Sequence, residues 1–451
     1  MAAPLRVAVV GSGISGLAVA HTLLGQAEVT LFEALDYFGG HTHTVDITLP
    51  ADTASGSSNA SNPLTFGVDT GFLVFNERTY PNLINFLAAL GVQTASSEMS
   101  FSVQVPGALN GRSLEWSGSS LDSVFIQRSN LFRPKFLGML ADLLRFNSLA
   151  TQIAKTGQET ALMQPLADFL DQHRFGQAFR DWYLLPMLGC IWSCPTQQML
   201  QFPVATLVRF CHNHGLLQIA NRPRWFTVRG GARHYVDKVV AQITDKRLNT
   251  PVKFIERDAQ GVRIATETNG IGRIERFDKL VLATHSDQAL QLLRDATPQE
   301  ASCLGAIKYQ DNHAVLHTDA SVLPSQRKAW AAWNYERMGA NGAQPARVCL
   351  HYHLNQLQPL PVSTPVVVSL NPLRNINRSL VMGEYHYAHP VFDLAAIQAQ
   401  QQVAQLQGQQ HTYFCGAWLG YGFHEDGLKS GLSAARDLLL IAQTRKSSAS
   451  Q

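Results

Sequence analysis

Charge is scarce in this chain. Only 15% of its residues are Asp, Glu, Lys or Arg, and they balance to a net +3. No long Lys/Arg run concentrates that charge, so the sequence carries no electrostatic footprint for nucleic acid. Cysteine is sparse as well: Cys190, Cys194, Cys211, Cys303, Cys349 and Cys415 are scattered, and no two form a C-x-x-C pair. Zinc and iron–sulfur centres need clustered thiolates, so no metal site is expected. A disulfide framework is equally poorly supported in a chain of 451 residues. No apolar run reaches transmembrane length, and the N-terminus reads as a strand ending in glycines, not as a signal peptide. Together these absences predict a cytoplasmic protein, with peripheral contact at the inner membrane face as an open alternative. What is plentiful is apolar surface, 45% of residues. So long a chain with so little charge implies more than one core, two domains, and an apolar ligand cavity.

The first chemical signal follows at once. Leu5–Val10 is a valine-rich run suited to a buried parallel strand, Ile14 to about Gly25 has helical spacing, and Glu28–Glu33 is a second strand. Between strand and helix stands Gly11-Ser12-Gly13-Ile14-Ser15-Gly16. In that setting the first glycine permits a tight turn, the second lets a pyrophosphate approach the backbone, and the third lets helix and strand pack closely. The helix N-terminus adds unpaired N–H groups and partial positive charge. Glu33 closes the second strand, where a carboxylate can hold ribose hydroxyls. A purely structural glycine turn is the competing reading, and the spacing alone does not separate FAD from NAD.

Further along, Ala51–Pro63 is low-complexity and reads as a mobile surface loop. Residues 81 to about 203 read as mostly helical, including Tyr80–Leu90, Phe136–Leu149 and Ala167–Leu188. Strand patterns return at Val252–Ile255, Gly261–Thr266, Lys279–Ala283, Ala314–Thr318, Val348–His353, Val366–Leu370 and Leu380–Tyr387. A helix at Leu394–Leu406, a strand at Thr412–Cys415 and a last helix from Gly427 follow. The fold class is α/β: a Rossmann-like dinucleotide domain assembled from 1–80, 205–300 and 408–445. A substrate domain of mixed sheet and helices comes from 81–204 and 301–407, and 446–451 is expected to be a disordered tail.

Four more segments, the closing one in two parts, extend the dinucleotide signature. Phe38-Gly39-Gly40-His41-Thr42-His43-Thr44 follows Glu33, and Val281-Leu282-Ala283-Thr284 is a second apolar strand end. Tyr413-Phe414-Cys415-Gly416-Ala417-Trp418 precedes Glu425-Asp426-Gly427-Leu428-Lys429-Ser430-Gly431, and Pro251-Val252 lies between. In this order they resemble the flavin-containing amine oxidoreductase superfamily. Val68–Phe72, Phe75–Asn82, Cys211–Gly215 and Gly420–Gly427 resemble more closely a bacterial subfamily labelled predicted NAD/FAD-binding proteins. The resemblance covers nearly the whole chain and implies FAD as cofactor. Its site would be Gly11, Gly13, Ser15, Gly16, Glu33, Gly39, Gly40, His41, Thr42, His43, Val252, Ala283, Thr284, Gly416, Ala417, Glu425, Asp426 and Gly427. Members of the subfamily are often encoded beside cyclopropane-fatty-acid-synthase-like methyltransferases. This implies an apolar acyl or lipid substrate and an acyl-modifying methyltransferase as a partner.

Two positions depart from the superfamily pattern. His41 stands where an arginine usually follows the paired glycines, removing a permanent charge. Ala417 stands where an acid usually holds a ribityl hydroxyl, and Glu425 or Asp426 is expected to compensate. Trp418, Tyr421 and His424 follow the flavin strand and are the candidate catalytic groups, with packed aromatics as the alternative. The spaced pairs His41/His43, His212/His214 and His351/His353 each face one way if extended, yet read better as hydrogen-bonded polar side chains than as ligands. The reading is an FAD-dependent dehydrogenation of a long acyl chain. A redox-neutral double-bond isomerase, an amine oxidase and a non-catalytic FAD-bound partner protein are the alternatives. Ile126–Leu149 interleaves Arg128, Arg133, Lys135 and Arg145 with Phe, Leu and Met. Such a stretch suits an anionic bilayer surface or an ordinary domain helix with snorkelling cations.

Overall fold

Strand Arg6–Val10 sends alternate side chains into two cores. Val7 and Val9 join Leu17 and Val19 of the helix Ile14–Thr22 and Leu428 and Ala435 of the closing helix. Ala8 and Val10 join Ile264, Leu304 and Val403 on the other side. A parallel strand covered on both faces must be apolar throughout, which is why this segment reads as an unbroken run. In this computed structural model, residues 4–52, 62–157, 162–193, 195–218, 222–268, 270–337 and 348–448 are described.

The strand sits at the centre of a five-stranded parallel sheet. The order is Asp245–Arg247, Glu28–Phe32, Arg6–Val10, Lys279–Leu282, Thr412–Phe414. Val7 pairs with both Val29 and Lys279, and Leu282 with Phe414, so both ends of the chain meet in one sheet. All five strands come from segments expected to form the dinucleotide domain. A second, seven-stranded mixed sheet has the order 381–391, 308–317, 367–370, 348–353, 333–337, 101–109, 112–117. The largest core joins that sheet to the helices Pro134–Thr156, Leu185–Trp192 and Val204–Asn213, through Trp116, Phe136, Phe146, Leu188 and Phe210.

Three expectations need correction. Residues 81–203, expected to be mostly helical, also hold strands: Phe101–Leu109 and Arg112–Ser117 form an antiparallel hairpin that edges the large sheet. Its turn is Asn110-Gly111, both at positive φ (52° and 86°), the conformation that a tight hairpin turn demands and that this dipeptide adopts most readily. Ala167–Leu188 is also broken, since Arg174 takes a φ of 52° and separate helical pieces follow. The closing helix starts at His424, ahead of Gly427, and reaches Ser448, inside the segment expected as a tail. The hairpin Thr44–Leu49/Leu64–Asp69 frames the low-complexity loop, of which 53–61 lie outside the described residues, as do 449–451.

Candidate active site

The three glycines of the first loop are separated by what a side chain would meet. Gly11 has a φ of 100° and donates its N–H to the Phe32 carbonyl at 2.9 Å. A β-carbon on Gly16 would lie 1.9 Å from the Gly11 oxygen, so this glycine lets helix and strand touch. A β-carbon on Gly13 would meet nothing within 4 Å. Gly13 is the N-cap of the first helix and no side chain caps that end. The first-turn N–H groups are left for an anion.

Glu33 organises the loop from the end of its strand. One carboxylate oxygen accepts from Ser12 N (3.0 Å) and Ser12 Oγ (2.5 Å), the other from Leu35 N (3.0 Å). Ser12 Oγ in turn accepts from the Gly39 N–H at 3.1 Å. Gly39 and Gly40, at φ 120° and 58°, lie close enough that a β-carbon on Gly40 would stand 3.2 Å from Gly13 Cα. The loop, the acid and the paired glycines therefore form one hydrogen-bonded rim.

That rim opens on a cavity of about 1710 Å³, above the roughly 300–1,000 Å³ of a site for a single drug-sized ligand. Gly11, Gly13, Ser15, Glu33, Gly39, Gly40, His41, Val252, Ala283, Thr284, Gly416, Ala417, Trp418, Tyr421 and His424 all line it. The fit to a dinucleotide is therefore good: open glycine backbone at a helix N-terminus, an acid at the second strand end, and strand ends from three sequence segments. The same cavity is lined as well by Trp116, Phe125, Leu140, Leu143, Met187 and Trp192, which belong to the largest core or pack against it.

Other expected residues stand behind the wall. Gly16 and Gly427 serve packing, since a β-carbon on Gly427 would come 2.8 Å from Ile14. Thr42 Oγ1 bonds Tyr235 OH and His424 Nε2. His43 Nδ1 lies 3.1 Å from both Tyr387 OH and Thr70 Oγ1, with its ring stacked on Tyr37. Neither Glu425 nor Asp426 turns toward the position of the missing acid. Glu425 accepts from Asn82 N, Asn82 Nδ2 and Leu83 N, which caps the helix Pro81–Ala89. Asp426 accepts from the N–H groups of Tyr421 and Phe423 at 3.0 Å each. Burial pushes the Asp426 carboxyl up to about 6.

The candidate catalytic groups are largely committed. Trp418 is buried and donates its indole N–H to the Thr284 carbonyl at 3.1 Å. His424 lies flat on Phe72, with centroids 3.8 Å apart, and its Nε2 is held by Tyr235 OH at 2.7 Å. Tyr421 lines the cavity and packs edge-on to Phe210.

The structure also gathers residues that the sequence reading missed. The rings of His285, Tyr387 and His389 surround His41 at centroid distances of 5.9, 5.1 and 5.4 Å. His285 stacks on Tyr309 at 4.4 Å. Burial holds His41 and His285 near 4, and His389 and His424 near 3, with neighbouring imidazoles adding to the effect. All four line the cavity, and with their pKa values held this low they are neutral at pH 7. His41 Nε2 is buried with no hydrogen-bond partner. Strand alternation was the available signal: Tyr385, Tyr387 and His389 share one face of Val381–Val391, and His285 directly follows Thr284.

Among the other spaced histidines, His212 and His214 diverge because their segment ends a helix. His214 stacks on Phe210 at the cavity wall. His351 converges with Glu336 and Cys349 away from the cavity. Each of these donors is already held: Arg374 Nε sits 2.7 Å from Glu336, Ser369 Oγ 2.6 Å from His351 Nδ1, and Cys349 Sγ 3.4 Å from His351 Nε2.

Comparison with known proteins agrees with this geometry. Residues 14–312 match the family model described as flavin containing amine oxidoreductase. No curated protein sequence matches the chain. Among solved structures, cyclohexylamine oxidase from Brevibacterium oxydans IH-35A is similar, with a TM-score of 0.66 at 16% identity over 98% of this chain and 100% of that one. A fatty acid isomerase from P. acnes, described as CLA-producing, gives 0.63 at 14% over 96% and 98%. A putative protoporphyrinogen oxidase from Exiguobacterium sp. 255-15 gives 0.63 at 16% over 97% and 99%. At such identities these likenesses speak for the fold. The family match spans the larger part of the chain, which belongs to the flavin-containing amine oxidoreductases and is an FAD-dependent oxidoreductase.

Proposed function

We propose that this enzyme dehydrogenates a long acyl chain, removing a hydride and a proton from neighbouring carbons to leave a new double bond. The observation that carries this reading is the cavity itself. From the dinucleotide rim it runs on between Trp116, Phe125, Leu140, Leu143, Met187 and Trp192. Apolar walls suit a ligand whose binding energy comes from buried methylenes, about 0.8 kcal/mol each. Bound at the rim, FAD supplies the hydride acceptor. The chain's own residues hold the acyl segment, exclude water and take the proton. Neutral imidazoles that line the cavity, those of His41, His285 and His389, are the groups available for that last role. A chain that already contains a double bond is the easier substrate, because hydride loss beside it leaves an allylic cation.

A neutral imidazole cluster also argues against an amine as the natural substrate. It provides neither a fixed carboxylate for an ammonium group nor the arginine usual after the paired glycines. The test is anaerobic mixing of the yellow holoenzyme with detergent-dispersed unsaturated or saturated acyl lipids, or with primary amines and polyamines. Loss of flavin absorbance with the unsaturated lipid is expected, together with an additional double bond in the product. Bleaching by amines alone would return the enzyme to amine oxidation. A moved double bond without bleaching and without any acceptor would make it an isomerase.

A further inference from the structure

We propose that the face formed by residues 121–144 docks on an anionic phospholipid bilayer, so that acyl chains pass from the leaflet straight into the cavity. This inference rests on the acyl-chain reading above and specifies how the substrate arrives.

The helix Pro134–Thr156 buries Phe136, Met139, Phe146, Ala150 and Ile153 along one stripe. In a water-facing helix the opposite stripe is polar. Here Leu137 and Leu144 stand out at 42% and 54% exposure, with Gly138 and Ala141 also on the exposed side. Just before the helix, Leu131 and Phe132 are 43% and 86% exposed, and Leu121 is 80% exposed. Five of the twelve large exposed apolar side chains among the described residues thus fall within these 24 positions. Scattered exposed leucines need no explanation, but a cluster marks a contact surface.

The cluster is continuous with the active site. Leu121 and Leu144 also line the cavity, and Val124, Phe125, Leu140 and Leu143 continue the apolar wall inward. A protein partner would close this opening; a bilayer supplies what the opening admits.

Charge selects the kind of bilayer. Arg128, Arg133, Lys135, Arg145 and Lys328 are gathered around this face, against Asp122 and Asp142. Asp122 is paired with Arg128 and Lys328, and Asp142 with Arg145. Arg133 and Lys135 have no carboxylate partner among the described residues. Cations beside exposed leucine and phenylalanine are the chemistry of an interfacial anchor on anionic lipid. No helix among the described residues is long and apolar enough to cross a membrane, so the contact is one of surface insertion.

The experiment is sedimentation of the holoenzyme with vesicles of phosphatidylcholine alone, or of phosphatidylcholine mixed with phosphatidylglycerol. Binding to the mixed vesicles, weakened by added salt, is expected. Arg133→Glu with Lys135→Glu should lower it by about tenfold or more. These two glutamates stand at a helix N-terminus, which favours acids, so the fold is kept. Phe132→Ser should lower binding comparably, while Lys253→Glu on a remote strand should leave it unchanged. Equal binding of all variants, no preference for phosphatidylglycerol, or loss of a self-associated form with Phe132→Ser in place of vesicle binding would overturn the docking proposal. The acyl reading is judged separately, on detergent-dispersed lipid. There the charge-reversed enzyme should reduce its flavin as fast as the unmodified one. If no variant reacts with dispersed lipid, the acyl reading falls whatever the sedimentation shows.

Discussion

The carbonyl oxygen of Gly11 lies 1.9 Å from the point where a β-carbon on Gly16 would stand. The loop and the helix it opens therefore meet backbone to backbone, and this contact fixes where the helix N-terminus points. Gly16→Ala should cost stability by forcing strand and helix apart, about 1–3 kcal/mol, read as a lowered Tm of the apoprotein. Gly13→Val should behave differently. Its β-carbon would meet no protein atom within 4 Å, so the apoprotein should keep its Tm while the purified enzyme loses nearly all its FAD. If Gly13→Val retained FAD at the unmodified level, the pyrophosphate could not lie on that glycine.

The cavity histidines make stability sensitive to acid. Burial holds His41 and His285 near 4 and His389 near 3, below the ordinary 6.5. Between pH 6.5 and 4 the unfolded chain binds protons that the folded chain refuses. Stability is thus fully present above 6.5 and falls as pH drops through that window, by up to about 1.4 kcal/mol per pH unit for each histidine. Thermal unfolding of the apoprotein should show Tm falling below pH 6.5. His389→Gln should flatten the fall, since glutamine stays neutral and can still face the Asn312 amide that His389 Nδ1 meets at 2.9 Å. An unchanged slope in that variant would mean that other groups set the acid limit.

Glu425 separates a cofactor role from a structural one. Its carboxylate takes three hydrogen bonds from Asn82 and Leu83 and so ties the closing helix to the start of Pro81–Ala89. Glu425→Gln places an amide against those donors and should cost about 1–3 kcal/mol. FAD content measured well below Tm should remain unchanged. Loss of FAD at full stability would instead restore the carboxylate to the cofactor.

These cases show which parts of the molecule were readable in advance. The strand–helix–strand around the glycine loop and the strand after Pro251 were legible as local structure, because each forms among residues close in sequence. Glu33 at the end of the second strand reaches back only to Ser12 of the same unit. The Asn110-Gly111 hairpin was equally local, yet its signal was overridden by the helical spacing of the segments that follow it. Glu425 and Asp426 were misplaced because a carboxylate at a helix start has two kinds of donor to choose from. Asp426 closes on the N–H groups of Tyr421 and Phe423 just before it, whereas Glu425 finds its donors on Asn82 and Leu83, more than three hundred residues away. The imidazole cluster was hidden for the same reason: His41, His285 and His389 meet only after both sheets are assembled, and nothing in the spacing of one predicts the others.

Leu143 lines the cavity between Leu140 and the exposed Leu144 of its own helix, both of which line it too. It is half-buried on the helix Pro134–Thr156, against the largest core. Leu143→Trp should push an indole into this passage of the cavity without reaching the dinucleotide rim. Each methylene kept out of an apolar channel forfeits about 0.8 kcal/mol, so excluding two loses about 1.6 kcal/mol, a little over tenfold in affinity. KM for long unsaturated acyl substrates should therefore rise by at least that factor. Substrates too short to reach the passage should keep their KM, and FAD content should not change. Leu137→Trp, on the same helix but outside the cavity, serves as the comparison and should leave KM for dispersed substrate unaltered. If long and short chains responded alike to Leu143→Trp, the passage would not be the acyl channel, and the substrate would have to reach the flavin by another route.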